Sequence, residues 1–399
     1  MAGRAHKVVI VGGGTAGITV AARLGRAGVN DVAVIEPSTS HYYQPLWTLV
    51  GGGLARAEAS VRPEASVMPR GVSWIQRSVL AVAPQRHVVI LDDGSEVEYG
   101  YLVMAPGIQL NWDKVPGMRQ ALGRDGVSSN YDLALAPTTW DLIRATTRGT
   151  AVFTQPAGAI KCAGAPQKIA YLAADHWRRQ GVLKDIDVHL VLPTPGMFGV
   201  PEFARILEQV VERYGITVHL TSEAVEIDGD ARSVVVRDLV DDTKQSLGYD
   251  MMHVVPPQSA PTWVANSPLA DPTNPAGYIE VDKHTLQHVR FPEVFALGDA
   301  GSTPNSKTGA AVRHQAPVLV SNLLAVMAGQ VPAASYDGYA SCPLTTARDR
   351  MLLAEFDYTM KPAPSIPLLD TRQEHRDFGL LKKVGLPMLY WNLMLKGLA

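Results

Sequence analysis

Cysteine is nearly absent: Cys162 and Cys342 are the only two in 399 residues. So few thiols, so far apart, exclude a disulfide framework and a local zinc knuckle, and no metal site is expected. A dominant charge is also missing. Lys and Arg number 36 against 38 Asp and Glu, for a net charge of −2, and no dense basic block occurs. Nucleic acid is thereby excluded as a partner. No stretch approaches the roughly 20 apolar residues of a membrane-spanning helix. The opening, "MAGRAHKVVIVGGG", enters a strand at once and leaves no room for a signal peptide. The expected compartment is therefore the cytoplasm, where paired thiols are more often catalytic than structural.

What remains is an ordered, slightly apolar globular chain, 46% hydrophobic and 19% charged, long enough for two or three domains. Lys7–Val11 reads as a short buried strand, followed by a glycine-rich turn and an amphipathic helix through Ala27. A second strand, Asp31–Ile35, ends at Glu36. Gly12, Gly14 and Gly17 thus form a G-x-G-x-x-G fingerprint in a β-α-β context. Such glycines allow a tight turn, close approach of a pyrophosphate and helix–strand packing, and Glu36 is placed to accept from ribose hydroxyls. Strands are further expected over Val72–Ala81 and His87–Leu91. "DDGSEVEYGYLVMAPG" gives a turn and a strand ending at Gly107, and Val294–Ala300 gives a strand ending in Gly-Asp. A helix is expected after Thr308. These pieces resemble the FAD fingerprints of flavoprotein reductases with two dinucleotide-binding domains. That resemblance assigns Asp299 to the ribityl chain and turns the positive end of the helix after Thr308 toward the flavin. Lys307 lies just before it, either beside the flavin or in solvent.

The middle of the chain alternates strand and helix again: Thr150–Thr154, Asp187–Pro193 and Thr217–Leu220 as strands, Pro201–Gly215 as a helix. Its first strand-to-helix turn has no G-x-G-x-x-G. It carries Cys162 instead, flanked by Lys161 and Lys168, with Pro166 suited to the first helical turn. The helix end and nearby ammonium groups favour a thiolate there. The missing pyrophosphate loop argues against NAD(P)H as the electron donor. Cys342 precedes Pro343 and is expected to be extended.

"IKCAGAPQKIAYLAADHWRRQG", "MMHVVPPQSAP", "FPEVFALGDAGSTPNSKTGAAV", "YDGYASCPL" and "AEFDY" are similar to the sulfide:quinone oxidoreductases, mitochondrial-type branch, over nearly the whole chain. The resemblance implies an α/β fold of two Rossmann-like domains. The FAD-binding domain takes residues 1–115 and 272–331. A degenerate second domain takes 116–271, and a C-terminal membrane and quinone region takes 332–399. It implies a monotopic, peripheral FAD enzyme on the cytoplasmic face of the cell membrane. Sulfide, a quinone and a sulfur acceptor (a small thiol, sulfite or polysulfide) are its expected partners. The resemblance further implies that Cys162 and Cys342 meet in a disulfide or sulfur-bridged form, which sulfide attacks, with Cys342 keeping the sulfur and Cys162 leaving as a thiolate facing the flavin. The family assigns those two roles, and the residues of this chain do not. Phe356, Tyr390 and Trp391 are the candidates for the quinone lining, and the stretch Tyr390–Leu395 fits either core packing or an interfacial segment.

Two departures stand out. No third cysteine lies in Val115–Thr150, so FAD is expected to be non-covalent. The sequence ends after "LYWNLMLKGLA", where mitochondrial-type relatives continue, so weaker membrane attachment is expected. An NADH:quinone reductase of the same superfamily, an exported haem-coupled sulfide dehydrogenase and a persulfide or redox sensor without turnover remain as alternatives. The acceptor, the quinone type and the oligomeric state, a homo-oligomer included, stay open.

Overall fold

The computed structural model describes residues 4–366 and 370–399. β1 (Arg4–Val11), α1 (Thr15–Arg26) and β2 (Val32–Ile35) form the expected β-α-β unit. β1 pairs in parallel with β2 and with β3 (Glu96–Met104). Val8, Val9, Ile10, Ala33, Val34 and Leu102 are fully buried, as apolar runs of a sheet covered on both faces must be. Val294–Ala296 pairs in parallel with β3, so a segment nearly 200 positions later completes this sheet.

The stretch Val72–Ala81 is not one strand. Ser73–Ile75 pairs in parallel with β2, and Val79–Ala83 pairs antiparallel with Val88–Leu91 at the opposite end of the same sheet. The polar Gln76–Ser78 is where the chain leaves one edge for the other. β3 stops at Met104, short of Gly107. Val294–Ala296 stops short of Ala300, because the chain turns at Gly298, whose φ is +70°, into a single 3₁₀ turn.

A second parallel sheet holds Val127–Ser128, Met251–His253, β4 (Gly149–Thr154), β5 (Ile186–Val191) and Thr217–His219. Between β4 and β5 runs α2 (Ala165–Gln180), with Pro166 in its first turn. α2 is buried on nearly every side from Ala165 to Asp175. The next helix, α3 (Pro201–Tyr214), buries Phe203, Leu207, Val210 and Tyr214 on one stripe. α4 (Gly309–Met327) is capped by Thr308, whose hydroxyl accepts from Ala311 N–H at 3.2 Å.

The hairpin of β6 (Ala340–Ala347) and β7 (Arg350–Phe356) packs on α2. Ile169, Tyr171 and Trp177 share one core with Cys342, Leu344, Leu352 and Phe356. That packing carries Cys342 to the start of α2. The last helix, α5 (Leu386–Asn392), returns to the first domain. Its Tyr390 and Trp391, with Met394 and Leu395 just beyond, are buried against α1 and Tyr43. Core packing therefore accounts for those four residues, while Met388 and Leu393 face outward. No helix among the described residues is long and apolar enough to cross a membrane.

Trp177 is 1% exposed and donates from Nε1 to the Ile143 carbonyl at 2.8 Å. Trp177→Ala leaves a cavity under the cysteine-bearing hairpin and an orphaned carbonyl. It is expected to lower stability by about 3–5 kcal/mol in urea unfolding.

Candidate active site

The site begins at the backbone of residue 162. Cys162 has φ of +51°, the left-handed region that side chains rarely adopt. Two hydrogen bonds hold it there. Cys162 N–H donates to the Lys307 carbonyl at 2.9 Å, and Ala165 N–H donates to the Cys162 carbonyl at 2.7 Å. The first ties the turn of the second domain to the residue before the Thr308 cap.

Cys162 is half-buried and Cys342 is buried; both are free thiols. The two sulfurs are close enough to bias each other's titration. Lys168, one turn into α2, donates from Nζ to Cys162 Sγ at 2.9 Å. Cys342's S–H bond, assisted by Lys168, holds the Cys162 thiol well below its usual range against the opposing effect of burial. Cys342 moves the other way, because it donates that bond and is buried. Lys168 is placed as counter-ion for a thiolate at Cys162. Burial opposes the Lys168 ammonium, but the two sulfurs outweigh it and raise its pKa.

Gly164 makes this contact sterically possible. A Cβ there would lie 2.5 Å from Cys342 Sγ and 2.5 Å from Leu344 Cδ2. The glycine of "KCAGAP" is needed for approach of the second sulfur. The sequence displayed it but offered no reason for it. Lys161, expected beside the thiol, turns elsewhere. Its Nζ donates to Gln44 Oε1 at 2.7 Å and lies over the Trp47 ring, and burial lowers its pKa to about 8.

A second buried lysine was not foreseen. Lys382, on a π-helical turn spanning Leu381–Gly385, is 5% exposed. Its Nζ donates to the Pro343 carbonyl at 2.9 Å and to Thr345 Oγ1 at 2.6 Å, both on the strand of Cys342. Burial first, then the Lys168 charge, holds its pKa well below the usual lysine range, and both sulfurs oppose that shift. Nothing in "LLKKVG" distinguishes it from its exposed neighbour Lys383.

The glycine turn after β1 is tightly packed. A Cβ at Gly17 would stand 1.8 Å from the Gly12 carbonyl, and one at Gly12 2.3 Å from that of Ala105. Gly14 faces open space at the N-terminus of α1, whose first turn holds no acid. Phosphate charge is favoured there. Glu36 accepts from Gly13 N–H at 2.7 Å and Ser38 N–H at 2.8 Å, and burial raises its pKa. Asp299, Thr308 and Gly107 lie on the loops that follow the other strands of this sheet. Lys307 is buried, not solvated. Its Nζ donates to the carbonyls of Asp299 (2.7 Å) and Gly301 (3.0 Å) and lies over the Tyr278 ring, and burial lowers its pKa to about 8. The open glycine cradle, the acid-free helix end and the carboxylate at Glu36 fit FAD.

The three quinone candidates do not converge. Phe356 packs edge-on against Phe198 in the core that holds Cys342. Tyr390 and Trp391 belong to the core of the first domain. Tyr390 hydroxyl bonds His41 Nε2 at 2.6 Å and Thr15 Oγ1 at 2.9 Å, and His41 Nδ1 lies 3.1 Å from Glu64 Oε2. Of the three, Trp391 alone lines the shallow surface cavity of about 270 Å³ beside Arg62 and Met388.

Comparison with known proteins gives the family. The profile of the pyridine nucleotide-disulphide oxidoreductase family matches residues 6–316. A mitochondrial sulfide:quinone oxidoreductase of Dictyostelium discoideum is 40% identical over 394 residues, covering 98% of this chain and 86% of the relative. The mitochondrial sulfide:quinone oxidoreductase of Mus musculus is 39% identical over 98% of this chain and 87% of its own. The solved sulfide:quinone oxidoreductase of Aquifex aeolicus shares the fold, with a TM-score of 0.82 over 98% of this chain and 91% of its own, at 18% identity. The chain is therefore an FAD-dependent flavoprotein of the pyridine nucleotide-disulphide oxidoreductase family. Within that family it belongs to the sulfide:quinone oxidoreductases.

Two variants probe the thiol pair. Lys168→Met removes the counter-ion, so half-labelling of Cys162 by iodoacetamide should move upward in pH, toward the free-cysteine value of about 8.5. Gly164→Ala should keep its flavin and fold but separate the sulfurs. Oxidant would then no longer form an intramolecular Cys162–Cys342 disulfide, as peptide mapping would show.

Proposed function

We infer that the protein oxidises sulfide and passes two electrons to a quinone, with Cys162 and Cys342 as its redox pair. The observation that carries this reading is the sulfur pair itself: Cys342 Sγ sits against Gly164, two residues after Cys162, and Lys168 Nζ donates to Cys162 Sγ. The pair stands, with its own ammonium, at the turn where a nicotinamide-binding relative needs a phosphate loop. Membership of the sulfide:quinone oxidoreductases supports the substrates.

The residues divide the chemistry between them. In the bridged state the pair is a disulfide, and sulfide attacks one sulfur while the other leaves. The better leaving group is the sulfur of lower pKa. Lys168 stabilises Cys162 as thiolate, so attack falls on Cys342, which keeps the incoming sulfur as a persulfide. FAD, when bound, supplies a two-electron acceptor between the thiolate and the quinone. Gly12, Gly14, Gly17 and Glu36 would hold its adenosine half, and Gly107, Asp299, Lys307 and Thr308 would border the flavin half. Both cysteines are engaged in the pair, which supports a non-covalent flavin.

Quinone is a membrane solute, and the C-terminal segment supports docking at a bilayer. Val384, Met388, Leu393 and Leu398 are exposed apolar residues, with Lys383 and Lys396 exposed beside them. Met388→Glu combined with Leu393→Glu should reduce co-sedimentation with anionic liposomes while sulfide still reduces the flavin in solution.

The decisive test is an anaerobic sulfide titration followed by a short-chain quinone. Sulfide should bleach the flavin and quinone should restore it over many cycles. Cys162→Ser and Cys342→Ser should each abolish the response. A flavin indifferent to sulfide but bleached by NADH would overturn the reading.

A further inference from the structure

Two buried lysines flank two sulfurs, and the proposed chemistry uses only one of them. Among the described residues, Lys382 forms no ion pair with a carboxylate. Its Nζ is bonded to Pro343 and Thr345 on β6, the strand of Cys342, and the charges that bear on it are those of Lys168 on α2, Cys162 on the turn before it and Cys342. Lysine as ammonium has three donors and no acceptor; as amine it has two donors and a lone pair. Nζ of Lys382 finds two acceptors, the Pro343 carbonyl and Thr345 Oγ1. That count matches the amine, with the lone pair left over. A buried cation without a counter-ion is costly, and the bridged sulfur pair carries no charge to supply one. Lys168 already provides the positive charge for one thiolate. A π-helical turn, which recurs at functional sites, brings Lys382 inward.

We propose that Lys382 is the proton acceptor for sulfide at this site, taking a proton from hydrogen sulfide as its sulfur attacks Cys342. The proposal rests on the sulfide-oxidising reading above. A bond forms between the sulfide sulfur and Cys342 Sγ. The Cys162–Cys342 sulfur–sulfur bond breaks, and its electron pair stays on Cys162 as thiolate. One hydrogen of H₂S goes to Lys382 Nζ and the other stays on the persulfide. Sulfide sulfur is oxidised by two electrons, and the disulfide is reduced by two. The new ammonium offsets the new thiolate, so the site ends without a net change of charge. Lys168 holds the leaving sulfur and Lys382 serves the attacking one.

The test compares wild type, Lys382→Met and Lys382→Arg as FAD-loaded enzymes, with flavin content and thermal midpoint as the check on folding. The rate of flavin reduction by sulfide is followed against pH in stopped flow. Wild type accepts H₂S and should vary little with pH below the first ionisation of sulfide. Both variants need preformed HS⁻. They should slow about tenfold per pH unit in that range, reaching about 10²-fold below wild type, and converge with it in alkali. Sulfite at alkaline pH, a nucleophile with no proton to give up, should add to the bridged pair at the same rate in all three proteins, read by intact mass. Parallel pH profiles for wild type and Lys382→Met, or equal loss of reactivity toward sulfite, would overturn the role of Lys382 and leave the sulfide reading standing. A wild type that ignores sulfide would overturn both.

Discussion

The bond from Cys162 N–H to the Lys307 carbonyl holds the site together. It pins a left-handed cysteine at the end of one parallel sheet to the residue that precedes the capped helix of another. Remove it and the sulfur loses its direction. Lys168, one turn farther along α2, loses its acceptor, and Cys342 faces a turn that no longer offers Gly164. The carbonyl that accepts this bond belongs to Lys307, whose own ammonium is anchored on the Asp299 and Gly301 carbonyls. The loop of Asp299–Gly301, Lys307 and the thiol turn are therefore one hydrogen-bonded unit.

Placing four ionisable groups in so small a buried volume sets how they behave. Opposite charges there interact more strongly than in water, and unpaired charges cost more. Lys168 is placed to pair with an anionic sulfur at Cys162, and Lys382, without a carboxylate beside it among the described residues, is driven toward its neutral form.

The sequence displayed the cofactor half of the site plainly. Gly12, Gly14, Gly17 and Glu36 are local in the chain, and the constraint they satisfy is local too: a turn, a helix end, an acid after the next strand. Cys162 was conspicuous because it stood where glycine was expected. The rest depended on contacts that no spacing encodes. Gly164 matters because β6 delivers Cys342 against it. Lys382 is buried and Lys383 exposed because the turn around them is wound a particular way. Lys161 and Lys168 looked equivalent beside Cys162, yet one helical turn aims Lys168 at the sulfur while Lys161 is drawn to Gln44. Phe356, Tyr390 and Trp391 were grouped by residue type alone, and the fold distributed them between two cores.

Residues 390–399 lie against α1. Arg23 on α1 donates to the Ala399 carbonyl at 2.6 Å, Gly397 packs against Ala22 and Arg23, and Tyr390 reaches Thr15 at the first turn of α1. A nascent chain leaving the ribosome therefore displays its first helix long before the residues that cover it exist. Val8 to Leu24 must wait, with their apolar face open, for Val294–Ala296 and then for residues 386–399. A long exposure of that face during synthesis, and with it a demand for chaperones, follows from that order of arrival.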